Sequence, residues 1–110
     1  MMGCYILDDD HRPLPVDTIR WAHWYDRVEN RRVAFTTLEG VSVSTVFLGL
    51  DHSHHCGRPG RHRAILFETM VFGGPHDQHM DRYATWDEAV AGHERIVKMV
   101  SEPVPGAAEP

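Results

Sequence analysis

Lysine is almost missing from this chain of 110 residues: Lys98 stands alone beside ten arginines. Acidic residues outnumber basic ones 16 to 11, which leaves a net charge of −5 with histidines neutral. A protein that binds nucleic-acid backbone normally needs a broad basic face, so nucleic acid is not an expected partner. No apolar run approaches the roughly 18–20 residues that cross a bilayer. The opening residues 1–10 also lack the charged start and longer apolar stretch of a signal peptide, so a cytoplasmic protein with no membrane partner is expected. Cysteine is scarce, and Cys4 and Cys56 form no CxxC pair, so both are expected as free thiols. The familiar catalytic frameworks are missing too: no phosphate-binding glycine loop, dinucleotide fingerprint, nucleophile elbow or His-Glu-x-x-His. Catalysis would need a site assembled from scattered residues.

What is present suits one packed domain. A hydrophobic share of 42% and a charged share of 25% are ordinary globular values at this length. The domain is expected over residues 1–102, and the Pro- and Ala-rich stretch 103–110 as a frayed tail. Nine histidines make the charge acid-sensitive, since full protonation carries −5 + 9 to +4.

Hydrophobic periodicity sets the expected elements. Residues 4–7 read as a short strand, followed by turn chemistry in Asp8-Asp9-Asp10-His11-Arg12-Pro13-Leu14-Pro15. Asp17 is placed to cap a helix running to about Asn30, with Trp21, Trp24, Tyr25 and Val28 on one face. Val33–Leu38 and Val41–Leu50 read as strands joined by a tight Glu39-Gly40 turn. Ala64–Phe72 reads as a strand apolar enough on both sides to be covered by helices, and a polar loop follows it to Tyr83. Thr85-Trp86-Asp87-Glu88 is a capping box, behind which Trp86, Ala89, Val90, His93, Ile96, Val97 and Val100 make a helical stripe over 86–101. The order β-α-β-β-β-α predicts an α+β fold: a mainly antiparallel four-stranded sheet packed with two helices.

Candidate chemistry concentrates in the loop after the third strand. His52, His54, His55, Cys56 and His62 are donors that suit zinc or another transition metal, and Asp51 could orient an imidazole. No second ligand pair stands at an established spacing, so no cofactor is expected and the metal stays an alternative. Arg58, Arg61 and Arg63 give the same loop a local positive patch that suits phosphate or an acidic partner surface. His76, Asp77, His79 and Asp81 read as a polar surface loop. Glu68, sharing a strand face with Leu66, Met70 and Phe72, needs a partner if buried. His93 on the apolar helix face reads as a core histidine, with Glu68 within reach if both look inward. Gly92 beside it costs about 1 kcal/mol against alanine in mid-helix, which points to close packing.

Three blocks, Ser44–His52 (STVFLGLDH), Leu66–Gly74 (LFETMVFGG) and Arg82–Ala89 (RYATWDEA) with Gly92-His93, resemble a group of small bacteriophage and prophage proteins. With the Trp-containing first helix they span most of residues 5–100. In that group the loop after Asp51-His52 is short, so the His/Cys cluster here is a local elaboration. The resemblance implies no activity. It implies that Asp51, His52, Glu68, Arg82, Tyr83 and His93 gather at one end or face of the sheet, and that the chain is a phage-type accessory protein. The expected role is a binding module, with a host protein as partner, as in inhibition of a host defence system, and with a homodimer as its own assembly. Two other classes stay open: a metal-binding protein or metal-dependent hydrolase built on residues 52–62, and a sponge for a nucleotide signal.

Overall fold

The computed structural model describes residues 3–51 and 64–102. Their elements, in chain order, are β1 (Cys4–Leu7), β2 (Pro13–Val16), α1 (Thr18–Tyr25), α2 (Val28–Arg31), β3 (Arg32–Leu38), β4 (Val41–Phe47), β5 (Phe67–Phe72), β6 (Met80–Tyr83) and α3 (Trp86–Ser101). The fold is α+β, with a four-stranded antiparallel sheet in the order β3-β4-β5-β6 and a separate two-stranded ribbon, β1-β2. The expected class and sheet size hold; the membership of the sheet differs.

The first strand leaves the main sheet and pairs with β2, in the segment read as a proline turn. Prolines are tolerated there because Pro13 and Pro15 face Leu7 and Tyr5, while the neighbouring pair is closed by Asp8 N–H donating to the Arg12 carbonyl at 3.0 Å. Antiparallel pairs alternate between bonded and unbonded, so both prolines fall at unbonded positions where no N–H is needed. The fourth place in the sheet goes instead to β6, inside the expected polar loop. Its Met80-Asp81-Arg82-Tyr83 alternates, and a short charged strand suits a sheet edge.

The first helix stops at Tyr25, not near Asn30. The Asn30 side chain donates to the Trp24 carbonyl at 2.8 Å, a local bond that competes with helix continuation, and the chain restarts as α2 after Arg27. Asp17 does cap α1, accepting from Arg20 N–H at 2.8 Å. That helix packs on β1 and buries no residue fully, so the expected core stripe is only half-buried. Trp21 stacks on Tyr25, and Trp24 meets Phe47 edge-on.

The expectation for α3 holds from end to end. Thr85 Oγ1 accepts from Glu88 N–H at 3.1 Å, and Glu88 Oε1 accepts from Thr85 N–H at 3.2 Å, satisfying orphan donors of the first turn. Thr85→Ala is expected to cost about 1 kcal/mol, read as a lower urea midpoint at unchanged slope, with Thr85→Ser close to wild type.

Helix α3 covers one face of the sheet. Phe47, Leu66, Phe67, Tyr83 and Ala89 form one core cluster; Val43, Val71 and Ile96 form a second. Along β4 and β5 the buried residues alternate as Val43, Thr45, Phe47 and Phe67, Thr69, Val71, so the intervening side chains point the other way. The expectation that the Ala64–Phe72 segment is covered on both faces fails among the described residues, whose helices sit on one side of it.

Candidate functional site

The sheet presents two different chemistries on its two faces. On the covered face, a chain of hydrogen bonds crosses the core through Thr36, His93, Thr45, Thr69 and Tyr83. Its members come from β3, α3, β4, β5 and β6, so one polar thread ties the helix to all four strands. Tyr83 Oη donates to Thr69 Oγ1 at 3.1 Å, and Thr69 lies 2.5 Å from Thr45. Thr45 lies 2.7 Å from His93 Nδ1, and His93 Nε2 lies 2.8 Å from Thr36.

One proton order satisfies these groups in sequence. If Thr69 gives its proton to Thr45, Thr45 gives its own to Nδ1, and Nε2–H donates to Thr36, then every hydroxyl as far as His93 has an acceptor. Only the neutral Nε2–H imidazole allows this. Burial holds the His93 pKa below the ordinary histidine value, against a weaker opposing pull from Glu94. Burial likewise raises the Tyr83 pKa. Both ring nitrogens of His93 are committed to threonines, so the ring is a structural tie and not a poised base, as the sequence suggested.

The outer face is open. Registers place Phe35, Ser44, Met70 and Met80 in one row across the four strands, with Thr37, Ser42 and Phe72 in the next and Arg32, Val46, Glu68 and Arg82 in the row on the other side. Phe35, Phe72 and Met80 are 47%, 52% and 41% exposed. The central strand contributes small side chains, Ser42 and Ser44, between larger ones on β3 and β5. The face is therefore a shallow trough with a serine floor and largely apolar walls. One end is charged: Arg82 Nε donates to Glu68 Oε2 at 3.0 Å, and the Arg32 guanidinium lies over the Phe35 ring.

Glu68 thus has its partner, and it is Arg82 rather than His93. Neighbouring pairs Val46–Glu68 and Thr45–Thr69 point to opposite faces, so the expected approach of Glu68 to His93 is excluded by the pleat. Of the six matching polar residues, the five that are described share no one face of the sheet. Glu68 and Arg82 lie outside, Tyr83 and His93 lie inside, and Asp51 sits at the sheet end, accepting from Ile65 N–H at 3.0 Å. His52, His54, His55, Cys56, Arg58, Arg61, His62 and Arg63 lie outside the described residues, as does the tail 103–110. Among the described residues no three histidine, cysteine or acidic side chains come together to hold a metal ion. In the second histidine cluster, Asp77 accepts from Gly73 N–H, and His79 lies 3.6 Å from Asp81.

A cleft of about 350 Å³ opens between the β1–β2 turn, α1, α2 and the start of α3. His11 lies flat on Trp86 there, with ring centres 3.7 Å apart, while Asp9, Glu29 and Arg32 line it with charges of both signs. Sequence reading missed this stack, because it depends on the ribbon folding back to α3. It also missed Thr36, Thr45 and Thr69, whose signal was the alternation of Val41–Phe47: the threonine takes a core position while serines take the other parity.

No protein-family model, curated protein or solved structure matches the chain. No helix among the described residues is long and apolar enough to cross a membrane.

Proposed function

We propose that this chain is a protein-binding module that holds its partner on the outer face of the β3-β4-β5-β6 sheet. The observation that carries this reading is the row Phe35, Ser44, Met70 and Met80 with Phe72 beside it, in which Phe35, Met80 and Phe72 are about half-exposed on an antiparallel frame. A grouped apolar patch with a charged border has the anatomy of an interface, whereas apolar side chains scattered singly do not. Methionines add adaptability, because an unbranched thioether repacks against differently shaped partners. The resemblance to phage proteins supports a host protein as that partner, engaged in the bacterial cytoplasm, and inhibition of a defence component is the finer form of the reading. The buried polar residues work in the same direction: they fix the pleat and twist on which the face is displayed.

The test uses two substitutions on the face. Met70→Asp and Met80→Asp each place a charge in the trough without touching the core, so the melting temperature is expected to move by no more than a few degrees. Partner captured from infected host cells, with its contacts mapped by cross-linking to the outer face, is expected to be lost with either variant and kept with His79→Ala. Capture unaffected by both aspartates would refute the reading.

A further inference from the structure

The two edges of the four-stranded sheet are built differently. Edge β6 has four residues and carries Asp81 and Arg82, with Arg82 paired to Glu68 and Asp81 lying 3.6 Å from His79. Edge β3 has seven residues, and from Val33 to Leu38 it holds no charge and no proline. Charges, prolines and short length are the usual protections of an edge, so β6 is blunted and β3 is not.

Among the described residues no strand pairs with β3 on the side away from β4, and the groups it presents there follow from its hairpin. Leu38 and Val41 close a two-residue turn around Gly40, whose φ of +73° glycine adopts without strain. A closing pair of this kind is hydrogen-bonded, so Leu38, Thr36 and Ala34 direct their N–H and C=O groups to β4. Those of Phe35 and Thr37 point away from β4, along the outer edge, and both side chains are exposed.

We propose that this edge is taken by β3 of a second copy, in an antiparallel pair centred on Thr36. The two-fold axis then sets Phe35 of one copy opposite Thr37 of the other, twice, and each such pair exchanges two backbone hydrogen bonds. Charge complementarity selects this occupant and register. Arg32 and Glu39 bracket β3, and the bulge between Arg32 and Ala34 returns Arg32 to the outer face, where it shares a row with Val46 and lies over Phe35. In an antiparallel self-pair, Arg32 of each copy comes beside Glu39 of the other, at both ends of the seam. The product is a continuous eight-stranded sheet in which two outer faces join into one doubled surface.

Sedimentation and light scattering of the untagged chain over a wide concentration range, in low salt, test the pairing. Thr37→Pro removes an outward N–H and sets a ring against the second copy, while the bonds of β3 to β4 stay intact. It is expected to give a monomer with a cooperative melt. Glu39→Arg turns two attractions into two repulsions and is expected to weaken the dimer about tenfold, and Arg32→Glu with Glu39→Arg to restore it to within about threefold. If Thr37→Pro fails to fold, the charge swap alone carries the test. A wild-type monomer at the highest soluble concentration overturns the proposal. So does a dimer indifferent to Glu39→Arg, or one the double swap does not restore.

Discussion

Gly92→Ala is expected to destabilise the protein by about 2 kcal/mol or more, although alanine is the better helix former. Gly92 lies on the covered side of α3, directly against the Tyr83 ring, and an ideal Cβ there overlaps the ring's Cε1, Cζ and Oη. The ring has no room to retreat. It belongs to the cluster of Phe47, Leu66, Phe67 and Ala89, and its hydroxyl is bound to Thr69. Nor can the helix lift freely, since Ala89, His93 and Ile96 are buried on either side of Gly92. Overpacking of a tight core costs roughly 1–3 kcal/mol and more where nothing yields, against which alanine recovers about 1 kcal/mol of helix propensity. Urea unfolding reads the difference directly. The cause is checked by Tyr83→Leu with Gly92→Ala, whose combined cost is expected to be well below the sum of the two, because the shorter side chain vacates the contested space. A neutral or stabilising Gly92→Ala would mean that Tyr83 does not press on the helix.

That glycine shows what the sequence made readable and what it did not. A glycine in the middle of a strongly periodic helix signalled close approach, but only the fold supplied the partner, Tyr83 on β6. Helix α3 was legible to its ends because its start signal and its stripe are both local. The β3–β4 hairpin was legible for the same reason, from β-branched runs around Glu39-Gly40. By contrast, β6 is defined by the register of Phe67–Met70 opposite it, and its alternating charges read as loop when that partner is unknown. The β1–β2 ribbon was hidden by prolines that mean a turn in most settings and are admitted here only because they fall at unbonded positions. The open face was misread through Met70 and Phe72: apolar residues on both parities of a strand look like a doubly covered strand, and they look the same when one side is kept for a partner. Of the candidate site residues, pairing decided the outcome. Glu68 was recognised as needing a partner, and the register gave it Arg82.

His93→Gln is expected to cost about 2–3 kcal/mol at pH 7.5 and progressively less toward pH 5. Its ring bridges Thr36 and Thr45 in a core where both neighbours would otherwise lose a buried partner, which sets the size of the penalty at neutral pH. The pH dependence follows from the depressed pKa. In the unfolded chain this histidine titrates near the ordinary value of about 6.5, while in the folded chain it holds off its proton until a lower pH. Between those two values the unfolded state binds more protons, so stability rises with pH across the window and falls as pH drops below about 6.5. Every pH unit spanned in full is worth about 1.4 kcal/mol. Protonation also breaks the one-way order of hydroxyl protons: Nδ1–H would donate to Thr45, whose own proton then loses its acceptor. Glutamine cannot titrate, so comparing the two proteins at each pH cancels the contributions of the acidic residues and the other histidines. The stability gap between wild type and His93→Gln, measured by urea unfolding from pH 7.5 down to 5, is therefore expected to close on the acid side. A gap that stays level over that range would mean that His93 holds its proton equally well folded and unfolded, and one that widens as the pH falls would mean that the folded core favours the charged ring, whose two N–H donors the one-way order of hydroxyl protons cannot accommodate.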